Sequence, residues 1–518
     1  MKADFGKTWL RRGGCAALAG LLLCSVASLS GCKSDSDGGK KETVVIKAGI
    51  TENPVMDYSD MKFFKDMEEA TGVRFEIEEM SNEKITLMFA TGDFVDVMFG
   101  GSFSNSQLEI AANSGSVVEL SGLLADNAPT WKKAFDENPM YYAASKFGED
   151  KLYSLPNIRT LDADRGIRDV WWINQKWMDE LNLKMPTTLA EFTDILRAFK
   201  ANAGKGSIPE NVMPWYFLTN GIISGQFDFY NTFGVPVYDY TYMGVKDGKV
   251  VNYATDPRLK TANTVLRDMF AEGLIAPESM TDTPNDVLTR TNQHTDTPYI
   301  GVFTGYWTPL EDYVPMTLFQ SREGVEPLIR RQPLGVTRNR MVIFDSCKYP
   351  EKVLQAMEWA VQDKNAIYLD FGIEGEQWTY DSAADMYTVT SGVEPMDSET
   401  PGNAIPGLLD DRFNGRVTFG ENHSWYKRGK AIEIYKDNRI PLEDLIPPMS
   451  FSSEAQEKVD NYKLVICARY INNTVKSWIN GSADINAGWD EYVNQINKLG
   501  MEDYVRLHQE AYDAFYGK

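Results

Sequence analysis

The sequence has 518 residues, with 74 acidic side chains against 52 basic ones and a formal charge of −22 at pH 7. That balance argues against binding to nucleic acid or an anionic lipid surface, both of which recruit basic patches. The length accommodates two large domains, and 12 Trp and 25 Tyr are available to fill cores and line sites.

In chain order, Lys2, Lys7, Arg11 and Arg12 come first, and an apolar stretch over 15–26 follows. Small residues then lead into Leu29-Ser30-Gly31-Cys32. A basic flank, a short apolar run and a small-residue cleavage site predict a signal peptide over 1–31. The run falls short of the roughly 20 residues that a spanning helix needs. The Leu-Ser-Gly-Cys ending resembles the bacterial lipobox, which implies acylation of Cys32 as the new N-terminus. Residues 32–41 are rich in Ser, Asp, Gly and Lys, which predicts a flexible lipidated linker. The expected location is the extracytoplasmic face of the bacterial cell membrane, with the lipid as the sole membrane contact. Cys347 and Cys467 remain after processing, and the sequence leaves open whether they pair or stay as buried thiols.

Residues 43–48 (TVVIKA) have strand composition, 60–71 read as an amphipathic helix stopped by Gly72, and 74–78 alternate like a strand. A helix over 84–90 and a buried strand over 95–99 (VDVMF) complete a strand–helix–strand–helix–strand run, the pattern of a mainly parallel sheet. Such sheets bind ligands beyond the carboxyl ends of their strands. This points to the loops at Asn53-Pro54 and 100–104. A second rhythm starts near Arg168, with a strand over 169–174 (DVWWIN), a helix over 175–181, and a helix over 189–200 capped by Thr188. Leu189, Phe192, Ile195, Leu196 and Phe199 share one face of that last helix and are assigned to core. A hairpin turn is expected within 246–253, a helix over 256–271, a strand over 300–303 and helical structure over 350–370. The stretch 454–516 is largely helical, broken at Asn480-Gly481 and Gly500.

The run WINQKWMDELNLKMPTTLAEFTDILRAFK, over 172–200, resembles a sequence block of extracellular solute-binding proteins of family 1. GDFVDVMFG (92–100), KLYSLPN (151–157), EGLIAPE (272–278), GIEGEQWTYD (372–381) and the tail 489–516 follow in the order of that family. Within that family the sequence resembles the large lipoproteins, which feed oligosaccharides to ATP-binding-cassette (ABC) importers. The resemblance implies an α/β, periplasmic-binding-protein-like fold: two discontinuous α/β lobes with a hinge and a ligand cleft. The expected N-terminal lobe is 42–165 with 304–372, and the C-terminal lobe 166–303 with 373–518. Crossovers are expected near 165–169, 303–306 and 372–375. The implied partners are an oligosaccharide and the transmembrane subunits of an ABC permease, with the chain itself a monomer.

Sugars present apolar C–H faces and rings of hydroxyls, so their sites combine aromatic platforms with hydrogen-bonding side chains. Several stretches offer that mixture: Trp215-Tyr216 with Gln226 and Asp228, Tyr306-Trp307, Glu374 with Trp378, and Trp425. Trp307 and Trp378 lead, because each lies beside an expected crossover. Trp171 and Trp172 alternate on one strand, so one is expected in core and Trp172 is a candidate for the cleft. Arg168 suits a ligand hydroxyl or carboxylate, or equally a hinge salt bridge. Some relatives hold calcium in a loop after the 189–200 helix, but residues 201–210 here lack the Asp ligands calcium needs. No metal or cofactor is expected. His294, His423 and His508 form no metal-protease motif, and neither a nucleophile elbow nor a phosphate loop occurs. The expectation is a non-enzyme. The alternatives are a glycosidase-like enzyme with a carboxylate pair and a surface sensor without transport.

Overall fold

A computed structural model describes residues 43–517, apart from 54–55, 102–103, 148–150, 162–165, 220, 222, 224, 293–297, 391–399 and 422. The expected signal segment, Cys32 and the linker lie outside the described residues, as do parts of the loops at Asn53-Pro54 and 100–104.

The first half of the chain folds much as its pattern predicts. Strand β1 (Val44–Thr51) lies parallel to β2 (Val73–Met80) and to β3 (Val97–Phe99), with Val44 opposite Val73 and Ala48 opposite Val97. Between them runs the helix Lys62–Thr71, ended by Gly72 at φ 74°, a left-handed conformation that costs glycine little. The sheet continues through β4 (Leu155–Arg159), and β5 (Val170–Asn174) starts a second sheet. The helix Leu189–Ala201 opens on a reciprocal cap between Thr188 and Glu191, and Phe192, Ile195, Leu196 and Phe199 are buried as its periodicity requires.

The second sheet adds β6 (Met213–Tyr216), and a hairpin follows, β7 (Met243–Lys246) and β8 (Lys249–Asn252). Asp247 and Gly248 both adopt positive φ in its two-residue turn. Next come β9 (Ile300–Gly305), β10 (Tyr313–Pro315) and β11 (Val336–Ile343). The last strands are β12 (Trp378–Asp381), β13 (Met386–Val389), β14 (Leu408–Leu409) and β15 (Val417–Phe419). A six-stranded sheet has the order β14-β4-β11-β3-β1-β2 and a four-stranded sheet β10-β5-β9-β6. A three-stranded sheet, β12-β13-β15, stands beside the first. The architecture is mixed α/β.

Strand pairing moves two of the expected crossovers. β10 pairs antiparallel with β5, Tyr313 opposite Asn174, so the chain stays with the second sheet beyond residue 306. It returns to the first only at β11, which pairs with β3 and β4. Likewise β14 pairs with β4, and Trp378, Tyr387, Val389 and Phe419 share a core with Leu161, Ile367 and Leu409. Residues 378–419 therefore build onto the first sheet, not the second. β10 is a three-residue edge strand containing a proline, which leaves little trace in sequence. The pairings of β10, β11 and β14 also span more than a hundred residues, beyond the reach of local patterns.

Candidate functional site

Among the described residues, 160–161, 166–169 and 316–335 lie between strands of the two sheets, and 423 opens the helix Ser424–Tyr435 after β15. They meet at two buried arginines. Arg330 donates from Nη2 to Asp169 at 2.6 Å and from Nε to Asp228 at 2.7 Å, with all three side chains sealed from solvent. Its Nη1 donates to the Tyr238 carbonyl, and its own carbonyl accepts from the Arg168 N–H at 2.6 Å. Burial pushes the Asp228 carboxyl above its usual range, with Arg330 pulling against it. Arg428 donates to the carbonyls of Ile167, Arg168 and Tyr306, and its guanidinium lies 3.8 Å over the Tyr306 ring.

This knot accounts for several of the predicted site residues. Asp228 is a partner of Arg330, and Arg168 pairs with Asp169 at 2.9 Å. Of its two expected roles, Arg168 takes the salt bridge. Gln226 is buried and donates to the Tyr230 hydroxyl. Trp215 packs among Trp171, Phe192, Phe217 and Phe229. Trp171 and Trp172 are both fully buried, because both faces of their strand are covered, and Trp172 donates to the Gly305 carbonyl. The Tyr216 ring is buried and its hydroxyl donates to Asp282. Trp378, a leading candidate, is 1 % exposed and donates to the Gly372 carbonyl. Trp425 is buried among Tyr306, Phe371 and Phe419, with the Arg159 guanidinium 5.9 Å from its ring. Glu374 sits at the surface in an ion pair with Lys364. Burial removes all of these side chains but Glu374 and Arg168 from ligand-accessible surface in this structure, and those two are engaged in ion pairs. Tyr306 and Trp307 are only half-buried.

A different region offers open space. A cavity of about 490 Å3 is bordered by Phe147, Tyr153, Phe451 and Phe515, with Glu109, Asn113, Lys146, Lys151 and Ser450 supplying polar groups. The volume lies within the roughly 300–1,000 Å3 of small-molecule sites. None of the predicted site residues lines it. Two of its residues, Lys151 and Tyr153, do fall in the KLYSLPN block. The rest come from the end of the helix Asn105–Asn113, from the helix Pro139–Ser145 and the two residues after it, from the loop at 450–452 and from the last turns of the helix Met501–Phe515. No sequence pattern announces that these segments will meet.

β11 lies behind Lys146, Phe147 and Ser450 of the cavity border. Its pairing with β4 shifts register between Thr337 and Met341, and Asn339 there adopts φ 57°. Such a bulge redirects side chains and is common beside functional sites. Arg338 donates to the Ser450 hydroxyl and to the Lys146 carbonyl at 2.8 Å, with its guanidinium 4.9 Å over Phe147. Asn339 links Ser154 and Asn105. Arg340 donates to the Gly100 carbonyl at 2.6 Å. Gly101, at φ 71°, has to be glycine, since a Cβ there would lie 2.8 Å from the Asn339 carbonyl. The strand-end loop singled out in the sequence is thus tied to the cavity wall through β11.

The model of the bacterial extracellular solute-binding protein family matches residues 53–367, more than half of the chain. The fructooligosaccharide ABC transporter substrate-binding protein FusA of Streptococcus pneumoniae is 23% identical over 96% of this chain and 97% of its own length. The structure of FusA in complex with kestose superimposes with a TM-score of 0.78 at 21% identity, covering 92% of this chain and all of that one. An HMO-binding, ABC-transporter-associated solute-binding protein from Bifidobacterium longum infantis gives 0.76 at 22% identity, over 92% of this chain and all of the other. These likenesses establish the periplasmic-binding-protein-like fold, and with the family match they show that this chain belongs to the bacterial extracellular solute-binding proteins.

Proposed function

We propose that this protein captures an oligosaccharide and delivers it to the transmembrane subunits of an ABC importer, held at the outer face of the bacterial membrane by a lipid on Cys32. The observation that carries this reading is the similarity to FusA along nearly the whole of both chains. The cavity adds chemical support, since Phe147, Tyr153 and Phe451 suit sugar C–H faces and Asn113, Lys151 and Ser450 suit hydroxyls. In the proposed arrangement one lobe is built on the six-stranded sheet and the other on the four-stranded sheet, and the connecting stretches at Arg330 and Arg428 form the hinge. Tyr306 and Trp307, half-buried after β9, form a second aromatic platform. The chain acts as a monomer and does no chemistry on its ligand. A tether beside the permease raises the local concentration of the loaded receptor.

The test is a glycan panel read by thermal shift, since a ligand that binds only the folded chain raises its melting temperature. A shift of several degrees with one class of oligosaccharide, without new reducing ends, is the expected result. New reducing ends on incubation point instead to a glycosidase, and no shift with any glycan overturns the reading. Trp307→Ala should weaken binding of that glycan by about 1 kcal/mol, in the range of an aromatic contact, measured by calorimetry. Unchanged affinity removes Trp307 from the site.

A further inference from the structure

We infer that Phe451 is the platform on which the glycan rests, and that Arg338 sets it in place by holding its neighbour Ser450. The inference rests on the reading of this cavity as the glycan site. The border of the cavity comes from two parts of the molecule. Phe147 and Tyr153 belong with the first sheet, packed in a core with Met98, Val342 and Phe344. Phe451 and Phe515 belong with the C-terminal helices, which are fastened to the β7–β8 hairpin where Gln509 accepts from the Val250 N–H at 2.7 Å. A ligand in this space touches both parts at once. Phe147 and Phe515 are each 8 % exposed, which leaves a ligand little of either ring. Tyr153 and Phe451 are the half-buried pair, one from each part.

Phe451 is held on three sides. Its ring centre lies 5.1 Å from that of His508, with the planes inclined by 69°. His508 is itself buried and donates from Nδ1 to the Tyr504 carbonyl at 2.9 Å. On the C-terminal side, the Ser452 hydroxyl accepts from the Ala455 N–H at 3.3 Å and caps the helix Ser453–Tyr462. On the N-terminal side, the Ser450 hydroxyl accepts from Arg338. A ring already fixed in this way loses little freedom when the C–H face of a sugar settles on it.

The hold on Ser450 comes from the other part of the molecule. Arg338 lies on β11, in the irregular stretch between Thr337 and Met341, and touches both halves of the border from behind. Nη2 donates to the Lys146 carbonyl at 2.8 Å, the guanidinium lies 4.9 Å over Phe147, and Nη1 donates to Ser450. The helix Ser453–Tyr462 packs against the helix Asn105–Asn113, a second contact between the same parts. When the parts separate, the bond from Arg338 breaks and the loop takes Phe451 away from Tyr153. Arg338 is therefore a positioning residue, which acts on the sugar only through Phe451.

Calorimetry and stopped-flow binding on the purified protein test this. The probe is whichever of maltotriose, mannotriose, xylotriose and kestose raises the melting temperature most or, if none does, the glycan of the wider panel that does. Phe451→Ala should weaken its binding by about 3- to 10-fold, the range of an aromatic contact, and Phe451→Tyr, which keeps the ring, by less than about 2-fold. Arg338→Met should also weaken binding, chiefly through faster release. The double variant separates positioning from a general structural role. Phe451→Ala with Arg338→Met should bind no more weakly than Phe451→Ala alone, because the two losses are one. Should Phe451→Ala not fold by circular dichroism, Phe451→Leu replaces it throughout. Unchanged affinity in Phe451→Ala overturns the platform, and losses that add in the double variant overturn the role of Arg338; both leave glycan capture standing. No stabilisation by any glycan overturns the functional reading and the inference together.

Discussion

Arg330 and Arg338 lie eight residues apart, one before β11 and one within it, and they illustrate two uses of the same side chain. Arg330 is closed in by Asp169 and Asp228, with no exposed surface, and ties the stretches that join the two sheets. Arg338 is half-buried behind Lys146, Phe147 and Ser450, touches no carboxylate among the described residues and keeps one N–H without an acceptor. Burial alone therefore does not mark a structural arginine. The distinction lies in whether the protein itself supplies the anion.

The comparison is most exposed to test at the knot. Arg330→Met leaves Asp228 buried without its cation and Asp169 without the closer of its two arginines, and we expect a loss of about 3–5 kcal/mol in urea denaturation. A cost below about 1 kcal/mol means that the knot holds no more than Arg338 does. The same junction carries a pH test. His423 caps the helix Ser424–Tyr435 by accepting from the Trp425 N–H, and burial pushes its imidazole down to about 4. The unfolded chain takes up that proton near pH 6.5, before the folded one. Stability is therefore full above about pH 6.5 and falls as the pH drops towards 4, by about 1.4 kcal/mol per unit. His423→Asn keeps a capping side chain and should flatten this slope in denaturation series at pH 7, 6 and 5. Burial also lowers His508, so a residual slope is expected.

Smaller effects sharpen the other side. Arg338→Met should change stability by no more than about 1 kcal/mol, since a few hydrogen bonds are lost while a desolvated charge is relieved. A loss as large as that of Arg330→Met removes the distinction between the two arginines. The smallest effect belongs to Glu374, whose ion pair with Lys364 is open to solvent. Glu374→Gln should shift the denaturation midpoint by less than about 0.5 kcal/mol and leave glycan affinity unchanged. A measurable loss of affinity returns Glu374 to the site.

What could be read in the sequence was local. The helix over 189–201 with its Thr188 cap, the stop at Gly72 and the Asp247-Gly248 hairpin all follow from short-range periodicity and turn chemistry. The family blocks supplied the fold. The site was far less legible, because aromatic residues beside polar ones occur both in cores and in sugar sites. Trp215 and Trp378 have the composition of a platform, yet their rings are enclosed by other rings and their own sheets.

The sequence alone determined the alternation of strands and helices and the membership of the family, because both reside in short contiguous runs. Only the tertiary structure decided that β10 pairs with β5 and β14 with β4, which places two of the crossovers. It alone brought Glu109, Phe147, Tyr153, Phe451 and Phe515 around one cavity. It alone gave Arg330 two carboxylates and, among the described residues, gave Arg338 none. The physical reason is the same in each case: long-range pairing and the partner of a buried charge depend on residues a hundred or more positions away, and no local pattern encodes them.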